Sequence, residues 1–222
     1  MSQGSRAPDA RQSEAVGPGG AALYHRVFDA SQQKSLVSQI GDIVRVAPLF
    51  QPVMPRTAKP FSVAMTNCGQ LGWVSDRDGY RYQTRHPLTD AAWPRMPGVL
   101  IDLWRRFAPE AVAAEACLIN IYDANAKMGS HQDRDEEDFS APIISVSLGC
   151  EARFHIGGMR RFDPKTRFTL RSGDVLVMGG PARLAFHGID SVRAGTSELD
   201  LSRVAPGCAR INLTLRRVTA VA

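Results

Sequence analysis

Residues 209–218 read Ala-Arg-Ile-Asn-Leu-Thr-Leu-Arg-Arg-Val. Successive side chains of an extended chain point to opposite faces. Ala209, Ile211, Leu213 and Leu215 therefore share one face, and Arg210, Asn212, Thr214 and Arg216 share the other. One reading is an ordinary half-buried strand whose polar side meets solvent. The other is a strand whose two arginines address one anion. Extended chain puts about 20 Å between their Cα atoms, and each long side chain can lean inward, leaving a gap suited to a short dicarboxylate. Guanidinium groups match carboxylates in a bidentate way that lysines cannot.

The same period of two runs backward from this segment to residue 116. Cys117, Ile119 and Ile121 alternate with Leu118, Asn120 and Tyr122, and Ile144, Val146 and Leu148 alternate with Ile143, Ser145 and Ser147. Further strands are expected at 153–156, 167–170, 174–178 and 183–187. Gly157-Gly158, Ser172-Gly173-Asp174 and Gly179-Gly180-Pro181 punctuate them. Many short strands separated by turns predict a mainly β, α+β domain: a jelly-roll barrel or sandwich buttressed by N-terminal helices. The first helix is expected at 31–46, where Leu36, Val37, Ile40, Ile43 and Val44 recur at helical spacing after Asp29 or Ser31 as N-cap. A second is expected at 97–107, with Pro97 in its first turn and Val99, Leu100, Leu103, Trp104 and Phe107 as its apolar stripe. A strand is expected at 23–28. Residues 1–20, rich in small, polar and charged types, read as a mobile tail. Residues 21–222 read as a single domain.

The chain has 222 residues, 44% hydrophobic and 22% charged, which suits one soluble globular domain. A net charge of +5 favours an anionic partner such as nucleic acid. Cys68, Cys117, Cys150 and Cys208 form no CxxC, which points to free thiols in a reducing cytoplasm rather than a zinc site. No run of 18 apolar residues and no secretory signal is present, so neither membrane insertion nor secretion is expected.

His131-Gln132-Asp133, followed by the distant His187, is the strongest local chemical signal. In extended chain, His131 and Asp133 point the same way, and a barrel can bring His187 alongside. Two imidazoles and a carboxylate can occupy one face of Fe(II), leaving positions open for a co-substrate and oxygen. Zinc hydrolases can use the same residue types. Asn120 and Tyr122 lie on one strand face just before this motif and could offer an amide and a phenol to a bound carboxylate.

At these residues the chain resembles the AlkB family of nucleic-acid dealkylating dioxygenases, over roughly residues 20–218. The resemblance runs through Met65-Thr66-Asn67-Cys68-Gly69, Leu71-Gly72-Trp73, Asn120-x-Tyr122 and His131-Gln132-Asp133-Arg134-Asp135-Glu136. It continues through Ser145-Val146-Ser147-Leu148-Gly149, Arg183-Leu184, His187-Gly188 and Arg210-x-Asn212-x-Thr214-x-Arg216. It implies a double-stranded β-helix in which His131, Asp133 and His187 bind Fe(II). It implies that Arg210 and Arg216, assisted by Asn120, Tyr122 and Asn212, hold 2-oxoglutarate, with O2 as the second co-substrate.

A nucleotide-recognition lid is implied at about 62–85. Trp73 would pack on the damaged base opposite His131, and Tyr80 would contact phosphate. Asp135 and Arg161 would stand at the base pocket, where a carboxylate suits cationic 1-methyladenine or 3-methylcytosine. The implied partner is alkylated nucleic acid, with single-stranded DNA favoured and RNA a second candidate, acted on by a monomer. One departure stands out: Asp123-Ala124-Asn125 replaces the family's usual Pro-Gly turn, and Asn125 is expected to supply the positive φ. Two rivals stay open, the same iron chemistry on another substrate and a non-catalytic jelly-roll binding module.

Overall fold

The computed structural model describes residues 13–220. Its first half comprises β1 (Ser13–Val16), β2 (Ala21–Tyr24), α1 (Ala30–Val46), β3 (Ala64–Gly69), β4 (Gly72–Asp76), β5 (Gly79–Gln83) and α2 (Gly98–Phe107). Its second half is all strand apart from a single 3-10 turn at Gly180–Ala182. These strands are β6 (Ala116–Tyr122), β7 (Met128–His131), β8 (Ile143–Gly149), β9 (Ala152–Ile156), β10 (Thr166–Leu170), β11 (Val175–Met178), β12 (His187–Val192) and β13 (Arg210–Arg216).

The strands form a seven-stranded sheet in the order β1-β2-β11-β8-β13-β6-β3, a four-stranded sheet in the order β10-β9-β12-β7, and a β4-β5 hairpin. From β6 onward the chain passes between the two larger sheets in the manner of a jelly roll. In the seven-stranded sheet, β13 is central between β8 and β6. Asn212 stands opposite Ser147 on one side and Asn120 on the other.

The alternation noted above divides the large sheet into two chemically distinct faces. Ile119, Ile121, Ile144, Val146, Leu148, Ile211, Leu213 and Leu215 pack in one apolar cluster with Leu36, Val37 and Ile40 of α1 and Leu100, Leu103 and Trp104 of α2. The other face carries Asn120, Tyr122, Ser145, Ser147, Arg210, Asn212, Thr214 and Arg216. It is shielded from solvent as well, with only Asn212 partly exposed. The solvated-face reading of β13 is thereby excluded.

Local chemistry accounts for the element ends. Asp29 accepts from the Gln32 amide while Gln32 accepts from the Asp29 amide, closing a capping box on α1. That helix stops before Pro48, whose preceding residue is biased away from helical geometry. Pro97 is the N-cap of α2 rather than part of its first turn. The strand expected at 23–28 ends at Tyr24 because Arg26 turns to φ 50°, its amide donating to Asp174.

Three further expectations need correction. Within the tail read at 1–20, Ser13–Val16 is a strand paired with β2, because the turn glycines Gly17 and Gly20 take positive φ and fold it back; residues 1–12 lie outside the described residues. The strand expected at 183–187 is a turn. Gly180 at φ 50° and Pro181, which has no amide hydrogen, start a 3-10 turn, so pairing begins only at His187. The turn after β6 is not closed by Asn125 in the left-handed region: the Asp123 carboxylate accepts from the Asn125 amide, an Asx turn.

Glu115 fixes the exit of β13. Its carboxylate accepts from the amides of Val218 and Thr219 and from the Thr219 hydroxyl, and pairs with Arg217. Glu115→Ala is expected to cost about 2–3 kcal/mol, since buried hydrogen bonds to a charged group are lost together. In urea unfolding this should lower the midpoint and leave the slope unchanged.

Candidate active site

The metal-ligand candidates meet where the small sheet meets its loops. Residue His187 opens β12 directly opposite His131, the last residue of β7. Their ring centroids are 4.4 Å apart. Asp133 lies two residues past the end of β7, with carboxylate oxygens 3.8 Å from His131 Nε2 and 3.9 Å from His187 Nε2. Each ring is oriented by its own backbone: His131 Nδ1 lies 2.9 Å from the Gly129 carbonyl oxygen and His187 Nδ1 lies 2.9 Å from that of Ala185. With Nδ1–H donating there, both Nε2 lone pairs face the carboxylate. Burial, with His131 nearby, pushes the His187 pKa down to about 4, so its ring is neutral near pH 7, as a ligand must be. Burial alone would raise the Asp133 carboxyl, but Arg216 and the two imidazoles hold it well below the usual carboxylate range. Two imidazoles and one carboxylate fit a divalent iron, and by donor type alone a zinc ion as well.

Arg216 joins this triad to the large sheet. Its Nη2 lies 2.8 Å from Asp133 Oδ1, its Nη1 donates to the Tyr82 hydroxyl at 3.0 Å, and Glu136 stands 3.4 Å from its Nε. Glu136 also accepts from the Tyr82 hydroxyl and pairs with Arg183 Nη2 at 3.1 Å. Arg183 in turn donates to the carbonyl oxygens of Asp133 and Ala141. The sequence reading assigned no role to Tyr82, Glu136 or Arg183. A carboxylate three residues beyond Asp133 was the available signal, but its partners sit at 82, 183 and 216, and no local pattern joins them.

Arg210, with 0% exposure, lies at the other end of the same strand face. Its Nη2 donates to the Ser147 hydroxyl at 2.8 Å and its Nη1 to the Cys150 carbonyl at 3.2 Å. Burial lowers its pKa to about 10, still charged at neutral pH, and burial raises that of neighbouring Tyr122 to about 12. Between the arginines, Asn212 donates to Ser145 and accepts from Thr214. Arg210 Nε, Arg216 Nε and Asn120 Oδ1 are buried without a hydrogen-bond partner among the described residues. A buried cation with an unused donor is costly unless an anion completes it. A short dicarboxylate such as 2-oxoglutarate fits this donor set.

The segment expected to form a lid divides in two. Ala64–Gly69 is an edge strand of the large sheet, paired residue for residue with β6 and therefore part of the framework. Only the β4–β5 hairpin stands apart. On it, Trp73 stacks on Tyr80 at 5.7 Å and 17°, and its Nε1 donates to Asp135 Oδ2 at 2.8 Å. The expected aromatic residues and carboxylate are thus together, with Tyr80 on one face of the indole. Arg161 is exposed on the turn between β9 and β10.

Comparison with known proteins agrees with this geometry. Residues 20–216 match the 2OG-Fe(II) oxygenase superfamily. The chain is 47% identical over 195 residues to an alpha-ketoglutarate-dependent dioxygenase AlkB homolog of Caulobacter vibrioides, covering 88% of this chain and 86% of the relative. It is 42% identical over 208 residues to the alpha-ketoglutarate-dependent dioxygenase AlkB of Escherichia coli, covering 92% of each. The solved structure of OsALKBH1 superposes with a TM-score of 0.75 at 26% identity, covering 92% of this chain and 99% of that one. With His131, Asp133 and His187 converging beside two buried arginines, the chain belongs to the 2OG-Fe(II) oxygenase superfamily.

Proposed function

We propose that this enzyme oxidatively demethylates N-alkylated bases, 1-methyladenine and 3-methylcytosine, in nucleic acid. Single-stranded DNA is the preferred substrate and RNA a second one, and the enzyme works as a cytoplasmic monomer. The observation that carries the chemistry is the His-Asp-His cluster joined through Arg216 to the buried polar face of β13 that also bears Arg210. The similarity to AlkB proteins at 42% to 47% identity supports the choice of substrate.

In this reading His131, Asp133 and His187 hold Fe(II). Arg210 and Arg216, with Asn120, Tyr122 and Asn212, hold the two carboxylates of 2-oxoglutarate. Together with O2 these groups supply an oxidant for the N-alkyl carbon, so that the base is restored with release of formaldehyde, succinate and CO2. The residues of the chain orient and exclude. Arg216 keeps Asp133 ionised and aimed at the histidines, and Glu136 and Tyr82 keep Arg216 in place. Asp135 offers a negative charge to a base whose N-alkylation leaves it cationic. Trp73 offers a face for that base to stack on. Tyr80 covers one face of the Trp73 indole, which leaves the other face for the base and Tyr80 at hand to meet the backbone phosphate.

The deciding experiment uses a single-stranded oligonucleotide carrying 1-methyladenine, with iron and 2-oxoglutarate each omitted in turn. Loss of one methyl mass that requires both is the expected result. Succinate formation without mass loss would keep the oxygenase and discard the substrate. Arg210→Lys should raise the KM for 2-oxoglutarate at least tenfold, because an ammonium cannot reproduce the fork. Oligonucleotide affinity measured by fluorescence anisotropy should stay within twofold. Glu136→Gln should lower stability by about 3–5 kcal/mol, the cost of leaving buried charges unpaired, seen as a large drop in thermal midpoint.

A further inference from the structure

The turn between β9 and β10 presents an aromatic side chain that the reaction as derived leaves without a task. Phe162 is 93% exposed, the most exposed of the large hydrophobic side chains among the described residues. Free exposure of a phenyl ring is unfavourable, and its position is not a floppy one. The Asp163 amide donates to the Arg160 carbonyl at 3.1 Å, and the Asp163 carboxylate accepts from the Arg160 amide at 3.0 Å. These two bonds close a four-residue turn with Arg161 and Phe162 at its corners. Gly158 permits the closure, since a Cβ there would lie 2.3 Å from the Asp163 carboxylate.

The turn is tied to the metal cluster by backbone. Ile156, at the end of β9, stands opposite His187, and His187 stands opposite His131. One residue further, the Gly157 amide donates to the Phe186 carbonyl, and the Phe186 amide donates to the Gly158 carbonyl. Beside the turn is an apolar depression lined by Phe139, Met159, Pro181 and Leu184, with Arg183 beneath Phe139. Its floor is fixed to the ligand segment, because Gln132 donates to the Leu184 carbonyl and Arg183 to the Asp133 carbonyl. Chain charge over 157–165 comprises Arg160, Arg161 and Lys165 against Asp163 alone, whose carboxylate is turned inward.

An exposed ring on a rigid turn, preceded by two arginines and held by backbone to the strand of His187, matches the chemistry of one occupant. Base faces stack on aromatic side chains, and the phosphates on either side call for arginine. Extruding the target base also strips its neighbours of a stacking partner. We propose that Phe162 stacks on a base adjacent to the alkylated nucleotide, replacing the partner lost on extrusion and setting affinity for strands over isolated lesions. This inference rests on the demethylase reading above.

The test crosses Phe162 variants with two single-stranded substrates, both carrying 1-methyladenine. One has normal bases flanking the lesion, and the other has abasic residues at both flanking positions. Stacking on an aromatic side chain is worth roughly 5- to 150-fold per base. Phe162→Ala should therefore raise KM at least fivefold on the first substrate, with kcat within twofold, and leave KM on the second unchanged. Phe162→Trp should restore the first KM. Because the ring is exposed, the thermal midpoint of both variants should match wild type. An unchanged KM on the base-flanked strand, or an equal rise on both substrates, overturns the proposal. So does a shift in sedimentation coefficient for Phe162→Ala at constant KM, which would assign the ring to a second copy of the chain. No turnover of either substrate by the wild-type enzyme overturns the demethylase reading itself, and this proposal with it.

Discussion

Two guanidinium groups, Arg210 and Arg216, are buried on one face of a central strand, and the molecule is arranged around that constraint. Removing a cation from water costs several kcal/mol unless opposing charge and hydrogen bonds replace the lost hydration. At one end the replacement is an ionic chain from Arg183 through Glu136 and Arg216 to Asp133. At the other it is neutral: a hydroxyl from Ser147 and a carbonyl from Cys150, with Arg210 Nε left over. This asymmetry makes chemical sense. Arg216 is neutralised by the protein's own carboxylates and Arg210 is not, yet each keeps a buried Nε without a hydrogen-bond partner, and on the proposed reading both are free to meet an incoming carboxylate.

The placement of Asp133 follows from the same interaction. A carboxylate with two imidazoles on one side and a guanidinium on the other is held ionised across the physiological range. On the proposed reading iron binding and oxoacid binding are thereby coupled mechanically, since Arg216 bounds both. Glu136 and Tyr82 extend the coupling to the β4–β5 hairpin that carries Trp73 and Tyr80. The hairpin expected to meet the base is thus wired, through a phenol and two carboxylates, to the His131–Asp133–His187 cluster.

Around this site the jelly roll supplies rigidity on two scales. The large sheet is clamped on its outer side by α1 and α2, so β13 cannot shift register without exposing a complete row of Ile and Leu side chains. The small sheet contributes β7 and β12, whose register places both histidines side by side. Variation is left to the connections: the Asx turn at Asp123, the hairpin with Trp73, and the closed turn that displays Phe162.

Much of this was legible in the chain itself. Period-two alternation and glycine-rich turns specify strands locally, and the Leu36–Ile43 and Leu100–Trp104 stripes specify helices, because both rest on contacts within a few residues. The motifs shared with the AlkB family also marked His131, Asp133, His187, Arg210 and Arg216 as one constellation. The sequence did not decide whether the polar face of β13 is wet or buried, since alternation is the same in both cases and only the second sheet determines it. Nor did it place the start of β12, the strand at Ser13–Val16, the Trp73–Tyr80 stack or the Arg183–Glu136–Arg216–Asp133 chain. Those depend on contacts between residues far apart in the chain, and burial, which gives each charge its energy and each ring its partner, is a property of the assembled fold alone.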